Sequence, residues 1–362
     1  MQAFEIAVFQ GDGIGPEIMA PTLDILRDIS DDTRDYTLNF TDAPAGAGHY
    51  AAHGVALPES SLQTARRASA VLLSAMGLPD VRYADGTEIS PQIDLRMELD
   101  LFAGVRPVRV IDPTLSPLTI PPGQSIDFVL IRESTEGLFY TQGRGDVRKD
   151  EAFETLRITR DVSETLFRFA FTLTKQRQSD GSGSGRLTCV DKANVFRAFA
   201  YFRSMFDAEA ERHPEIEADH AYVDAMALWM VQRPWTFDVL VTENMFGDIL
   251  SDLGAGLMGG LGLAPSADIG LEHAVFQPCH GSAPDIAGQG VASPYAMLLS
   301  AAMMLEWLGI KHEMSQMQND GARLRAAVEA AVRDPKTQTQ DLGGQATTRA
   351  AGEAVKTALS RT

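Results

Sequence analysis

Phe237-Asp238-Val239-Leu240-Val241-Thr242-Glu243-Asn244-Met245-Phe246-Gly247-Asp248-Ile249-Leu250-Ser251-Asp252-Leu253 decides how this chain is read. Its first part is apolar and rich in β-branched residues, the pattern of a buried strand, while from Asp248 the spacing is helical. Strand running into helix is the repeating unit of an α/β protein. Asp248 and Asp252 stand four apart and so share a helix face. Two carboxylates held together suit a hard divalent cation, and so few protein oxygens leave coordination positions for water or substrate. The alternative is a pair of ordinary solvated or helix-start carboxylates. The pair by itself does not choose.

The same alternation extends in both directions. Phe4–Phe9 reads as a strand, followed by Gly11-Asp12-Gly13-Ile14-Gly15-Pro16-Glu17 and a helix to about Arg27. Pro16 suits a first helical turn, and the glycines permit either close approach to a ligand or a sharp turn. A strand at Ala70–Ala75 precedes a loop to Pro91 and a helix expected through Leu95–Phe102. Ile126–Ile131 is a strand that delivers Arg132-Glu133-Ser134-Thr135-Glu136-Gly137 at its end, where ligands of α/β proteins gather. Leu187–Val190 feeds Asp191-Lys192-Ala193-Asn194-Val195 and a helix from Arg197 to Ala210; further helices are expected at Asp224–Met230 and near 294–308 and 319–333. The dinucleotide fingerprint is not met at Gly11–Gly15, where the third glycine comes one residue early. A formal match at Gly254–Gly259 follows a predicted helix instead of a strand.

With 362 residues, two domains are expected. Hydrophobic content of 44% and charged content of 22% are those of a globular protein. A formal net charge of -18 argues against nucleic-acid and anionic-membrane partners. The start has no signal pattern and no stretch reaches membrane-spanning length, so a soluble cytoplasmic protein is the expectation. Cys189 and Cys279 lie in apolar segments, as buried free thiols of a reducing compartment do. In so acidic a chain, a carboxylated substrate calls for local arginines, and Arg96, Arg106 and Arg132 fall at or near element ends. Each could clamp a carboxylate or pair with Glu98, Asp100 or Glu133. Lys192 follows an apolar strand and is either a partly buried base or an ordinary surface lysine.

The order of these pieces carries more than any one of them. Gly11 to Glu17, Leu95-Arg96 through Arg106-Pro107, Arg132 to Gly137, Asp191 to Val195, Val223-Asp224-Ala225-Met226, Asn244 to Asp252, and His280-Gly281-Ser282-Ala283-Pro284-Asp285-Ile286-Ala287-Gly288 together resemble the β-decarboxylating dehydrogenases. That family includes isocitrate, 3-isopropylmalate, tartrate/D-malate and homoisocitrate dehydrogenases. The resemblance implies an isopropylmalate dehydrogenase-like two-domain α/β fold that is not a Rossmann fold, with an active-site cleft between the domains. Residues 1–101 and 259–362 would form the large cofactor-binding domain and 102–258 the small one.

It also implies NAD- and Mg2+- or Mn2+-dependent oxidative decarboxylation of a (2R)-malate-type hydroxy-dicarboxylate by a homodimer with shared sites. Arg96, Arg106 and Arg132 would clamp the carboxylates, with Ser90, Gln92 and Val195 also touching substrate. Asp248 and Asp252 would hold the metal together with Asp224 of the other subunit, and Lys192, also of the other subunit, would take the hydroxyl proton. Asn194, His280, Gly281, Ser282, Ala283, Asp285, Ile286 and Ser293 would bind the cofactor, the Asp285 carboxylate favouring NAD over a 2′-phosphate. Two positions depart from the family pattern. Phe139 stands where a proton-donating tyrosine is expected, so either the next residue, Tyr140, reaches in as the catalytic donor, or water serves, or protonation is slow, or the reaction ends differently; and Ser293 replaces an asparagine. Ile89, Ser90, Gln92 and Ile93, expected around the C3 substituent, mix polar and apolar groups, and a small or modestly substituted D-malate ranks first. Other readings are a non-catalytic regulatory subunit, with Phe139 in its favour, and a metal-dependent phosphotransferase, for which no phosphate loop exists.

Overall fold

The computed structural model describes residues 1–361. The first segment runs β1 (Gln2–Phe9), α1 (Gly15–Asp32), β2 (Tyr36–Asp42), α2 (Ala47–His53), α3 (Glu59–Arg67), β3 (Ala70–Leu73) and α4 (Pro91–Glu98). The middle segment runs β4 (Ala103–Arg109), β5 (Asp127–Glu133), β6 (Asp146–Val147), β7 (Ala152–Phe153), α5 (Arg160–Ser179), β8 (Arg186–Asp191), α6 (Arg197–Ala210), β9 (Glu217–Tyr222), α7 (Val223–Gln232), β10 (Val239–Thr242) and α8 (Asn244–Leu257). The last adds β11 (Pro265–Ile269), β12 (Ala274–Pro278), α9 (Tyr295–Lys311), α10 (Ser315–Arg333) and α11 (Thr348–Leu359).

Two compact units result. One comprises Met1–Leu99, Gly259–Ala267 and the chain from Leu271 on; the other comprises Asp100–Met258 with Asp268–Gly270. In the first unit the strand order is β2-β1-β3-β12-β11, and β1 is parallel to β2 and β3, and β3 to β12. The apolar run Ala70–Leu73 is buried throughout, as a central parallel strand requires. Helix α9 is apolar around most of its surface and is correspondingly buried, packing against α10. In the second unit the order is β4-β5-β10-β8-β9, parallel except for the antiparallel β4–β5 pair. Phe167 and Phe171 of α5 meet Phe202 and Phe206 of α6, with centroids 4.7 Å apart for Phe167–Phe202 and 5.4 Å for Phe171–Phe206.

Three expectations need correction. Helix α4 starts at Pro91 and stops at Glu98, well before Phe102, because Asp100 takes a left-handed conformation (φ 52°) and Phe102 turns its carbonyl to the Ser134 N–H. Ile89 is fully buried in a core cluster with Ala47 and Ala56, so it is not available to line a substrate pocket. Cys279 is only partly buried, while Cys189 is completely so, and burial pushes its thiol well up; both are free. The glycine match at Gly254–Gly259 begins inside α8, so it opens no phosphate-binding turn.

Candidate active site

The strand-to-helix stretch brings the aspartate pair of the second unit up to its buried arginines. On the antiparallel β4–β5 ladder Gly104 faces Arg132 and Arg106 faces Leu130, so Arg106 and Arg132 are diagonal neighbours on one face of the sheet. Arg132 is 6% exposed. Its Nε and Nη2 donate to Asn244 Oδ1 at 3.1 and 2.7 Å, and its Nη1 pairs with Asp248 Oδ1. Asn244 is itself fixed by donating from Nδ2 to the Glu136 carbonyl at 3.2 Å. Gly247 makes this possible. A Cβ there would lie 2.6 Å from both Cβ and Cγ of Arg132, so only glycine lets the arginine lie along the helix.

Asp252 sits one turn beyond Asp248. Partial burial pushes its carboxyl above the ordinary range, the Asp248 charge pushes it further, and Arg106 and Arg132 pull it back. Two carboxylates on one helix face, one of them raised in this way, form a donor set that fits a hard divalent cation, whose charge would relieve the repulsion. Among the described residues of a single chain, no three side chains of the metal-binding types gather at one point.

Lys192 and Asp224 form a second pair, Nζ to Oδ1. The lysine hydrogen bond holds the Asp224 carboxyl below its usual range. The turn that presents Lys192 is fixed from beneath by Asp191, fully buried, which accepts from Ala193 N at 2.8 Å and from Nε and Nη2 of Arg203 at 2.7 Å each. Asn194 and Val195 lie exposed on the same turn. Tyr140 is 38% exposed and its ring lies 4.3 Å from the Arg157 guanidinium; Phe139 precedes it in the same short 3-10 turn.

In the first unit, Arg96 of α4 is 6% exposed, with Gln92 one turn before it and Ser90 preceding the helix. The segment from His280 to Ser293 folds against the β1–α1 turn. The Ser282 carbonyl accepts from Ile14 N at 2.8 Å, and a Cβ on Gly13 (φ 58°) would sit 2.0 Å from that oxygen. Gly11 approaches the Ala75 carbonyl in the same way, so these glycines serve close backbone contacts within the protein. Asp12 completes the arrangement by accepting from Ala47 N, Gly48 N and Gly77 N at 2.7 to 2.8 Å. Burial lowers the pKa of His280 and so favours the neutral imidazole, while the Gly281 carbonyl, 3.0 Å from its Nδ1, pulls the other way. Asp285 is exposed, and Ser293 donates to the Gly262 carbonyl at 3.3 Å.

Asn244, Gly247, Asp191 with Arg203, and Glu17 were given no individual role by the sequence. The signal for Gly247 was its place one residue before Asp248; the others show only in three dimensions.

Residues 5–355 match the family model described as isocitrate/isopropylmalate dehydrogenase. The 3-isopropylmalate dehydrogenase of Lactococcus lactis is 38% identical over 356 residues, covering 97% of this chain and 98% of that one. The 3-isopropylmalate/3-methylmalate dehydrogenase of Methanocaldococcus jannaschii is 41% identical, covering 84% and 86%. The isocitrate dehydrogenase structure from Methylococcus capsulatus superposes with a TM-score of 0.84 at 33% identity, covering 99% of both chains. Mostly parallel α/β units without a Rossmann turn, carrying arginines beside an aspartate pair, are the fold these comparisons match. The chain belongs to the isocitrate/isopropylmalate dehydrogenase family.

Proposed function

We propose that this protein is an NAD- and divalent-metal-dependent dehydrogenase that oxidatively decarboxylates a (2R)-malate-type acid, acting as a homodimer. The observation that carries this reading is the single cluster of Arg106, Arg132, Asp248 and Asp252. The guanidinium of Arg132, oriented by Asn244, binds a substrate carboxylate, and Arg106 beside it adds a second positive charge. Asp248 and Asp252, with Asp224 of the partner subunit, would hold Mg2+ or Mn2+. When bound, NAD would accept hydride and the cation would polarise the substrate oxygen on which negative charge develops. Lys192 of the partner subunit, in its neutral form once cation binding draws Asp224 away, would receive the hydroxyl proton at Nζ.

Phe139 has no proton to return to carbon. Tyr140 beside it carries one, on a ring covered by Arg157. The relatives' names support a malate-type acid. With Ile89 in the core, Ser90, Gln92 and Ile93 are left to meet the C3 substituent. Dimerisation is supported by an apolar face on adjacent helices of the second unit, where Leu228 and Val231 of α7 are 53% and 46% exposed and Met245 and Ile249 of α8 are 41% and 63% exposed.

The test follows NAD+ reduction with Mn2+ on D-malate, tartrate, 3-isopropylmalate, isocitrate and homoisocitrate, with CO2 release recorded in parallel. One acid is expected to give both products in equal amounts, and chelation of the metal to abolish turnover. Asp248→Asn should lose the metal-dependent rate by about a hundredfold or more. Full activity in that variant, or no NAD+ reduction with any acid, would overturn the reading.

A further inference from the structure

Beyond the residues expected to touch the nucleotide, one side chain holds their loop in place from behind. Glu17 is the last residue of the Gly11–Glu17 stretch and lies in the first turn of α1. Its Oε2 accepts from Gly288 N at 3.1 Å and its Oε1 from Ala292 N at 3.1 Å. The Thr348 hydroxyl, at the start of α11 and 3% exposed, lies 2.6 Å from the same Oε1 and 2.7 Å from the Ala292 carbonyl, and donates its one proton to either. Thr348 N in turn donates to the Gly290 carbonyl at 2.9 Å.

The segment tied down in this way is one that local structure fixes only within its Ala283–Gln289 turn. Ala283, Gly288 and Gly290 all have positive φ (36°, 74° and 71°), and between them the backbone is held by two long turn hydrogen bonds of 3.2 Å, Ile286 N to the Ala283 carbonyl and Gln289 N to the Ile286 carbonyl, and by Gln289 Nε2 donating to the Asp285 carbonyl at 2.8 Å, none of which reaches beyond the turn itself. At its start the loop is anchored through Ser282 to Ile14. At its exit the anchor is Glu17. A carboxylate is the one side chain that can accept from two backbone N–H groups and a hydroxyl together, and these are charge-assisted bonds.

We infer that Glu17 is a positioning residue for the nucleotide: it does not touch the cofactor but sets the Asp285–Ile286 backbone through Gly288 and Ala292. The inference rests on the proposed reading of the 280–293 loop as the NAD site. Thr348 extends the same anchor to α11, so the C-terminal helix enters nucleotide affinity without lining the site.

The experiment measures NADH binding to the full-length protein by nucleotide fluorescence, together with KM for NAD+ and for the acid, in Glu17→Gln, Thr348→Val and Asp285→Ala. A glutamine keeps the shape but turns an N–H donor toward Gly288 N or Ala292 N. Glu17→Gln is expected to weaken NADH binding and raise KM for NAD+ by about tenfold, with KM for the acid unchanged within about twofold. Thr348→Val, which leaves both backbone bonds in place, should shift the same two quantities by about two- to threefold and serves if the Glu17 variant fails to fold. Weak NADH binding in Asp285→Ala with native binding in Glu17→Gln would overturn the positioning role while keeping the nucleotide reading. Native binding in Asp285→Ala would overturn the nucleotide reading, and the inference with it. Equal losses for NADH and the acid in Glu17→Gln would mark general destabilisation and also overturn it.

Discussion

Gly247 and Asp252 show how single residues set the chemistry of α8. Replacing Gly247 with alanine would press a methyl against Arg132 Cβ and Cγ at 2.6 Å, and because Arg132 is buried it cannot swing clear without leaving Asn244. Gly247→Ala should therefore lower kcat/KM by about ten- to a hundredfold through the acid, and destabilise by about 1–3 kcal/mol, as kinetics and thermal melting would show. Asp252 gives a pH signature. Its raised carboxyl means that the folded state is favoured while Asp252 is protonated, and that this contribution is lost as pH rises through the raised value. Without divalent cation, Asp252→Asn should melt above the parent at neutral pH, the difference closing below about pH 4, where the unfolded carboxyl is also protonated. Mn2+ should raise the melting temperature of the parent and leave that of the variant unmoved. A melting difference independent of pH would contradict the assigned electrostatics. At this scale the sequence announced the charged groups, because Asp248, Asp252, Lys192 and the arginines are chemically conspicuous. It could not announce Asn244 or Glu17, whose parts depend on carbonyl and N–H groups more than a hundred residues away.

Among the elements, legibility followed periodicity. The strands at β1, β3, β5, β8 and β10 are short apolar runs and were visible as such; β2, half-buried at a sheet edge, and β11 and β12, inside a glycine-rich region, were not singled out. α11 was missed because its chain start is polar, Thr347 capping it by accepting from Ala350 N. α4 was placed late because Leu99, Leu101 and Phe102 continue an apolar pattern after the helix has ended. The α9–α10 pair was placed correctly, but not its reason for packing so closely. A Cβ on Gly321 would stand 2.8 Å from the Ala302 carbonyl oxygen and 3.0 Å from Glu306 N, both backbone atoms that cannot yield. Gly321→Ala should thus lower stability by about 1–3 kcal/mol even though alanine is the better helix former by about 1 kcal/mol. Denaturant melting decides it, and a gain in stability would mean that the helices can slide apart freely.

For the whole molecule, the decisive question is whether one chain makes a site. Lys192–Asp224 and Asp248–Asp252 are separate pairs within it, and the proposed dimer would supply each pair with its complement. Mixing Asp248→Asn with Lys192→Ala, each inactive alone, and refolding them together should place both defects in one site of each mixed dimer and leave the other intact. Half the dimers would then carry one working site of two, restoring about a quarter of native activity. No recovery would mean that each chain works alone. The order of the strands has another consequence, for the chain as it is being made. β12 lies between β3 and β11, so β3, apolar and buried in the finished protein, has no partner on that side until residues 274–278 have left the ribosome. At about 5–20 residues per second that is a wait of some tens of seconds, during which the second unit can complete its own sheet and the first stands with an open, sticky strand edge. The nascent protein is at its most aggregation-prone in that interval, and it is the inserted middle of the chain, the part bearing Asp248 and Asp252, that has all its strands first.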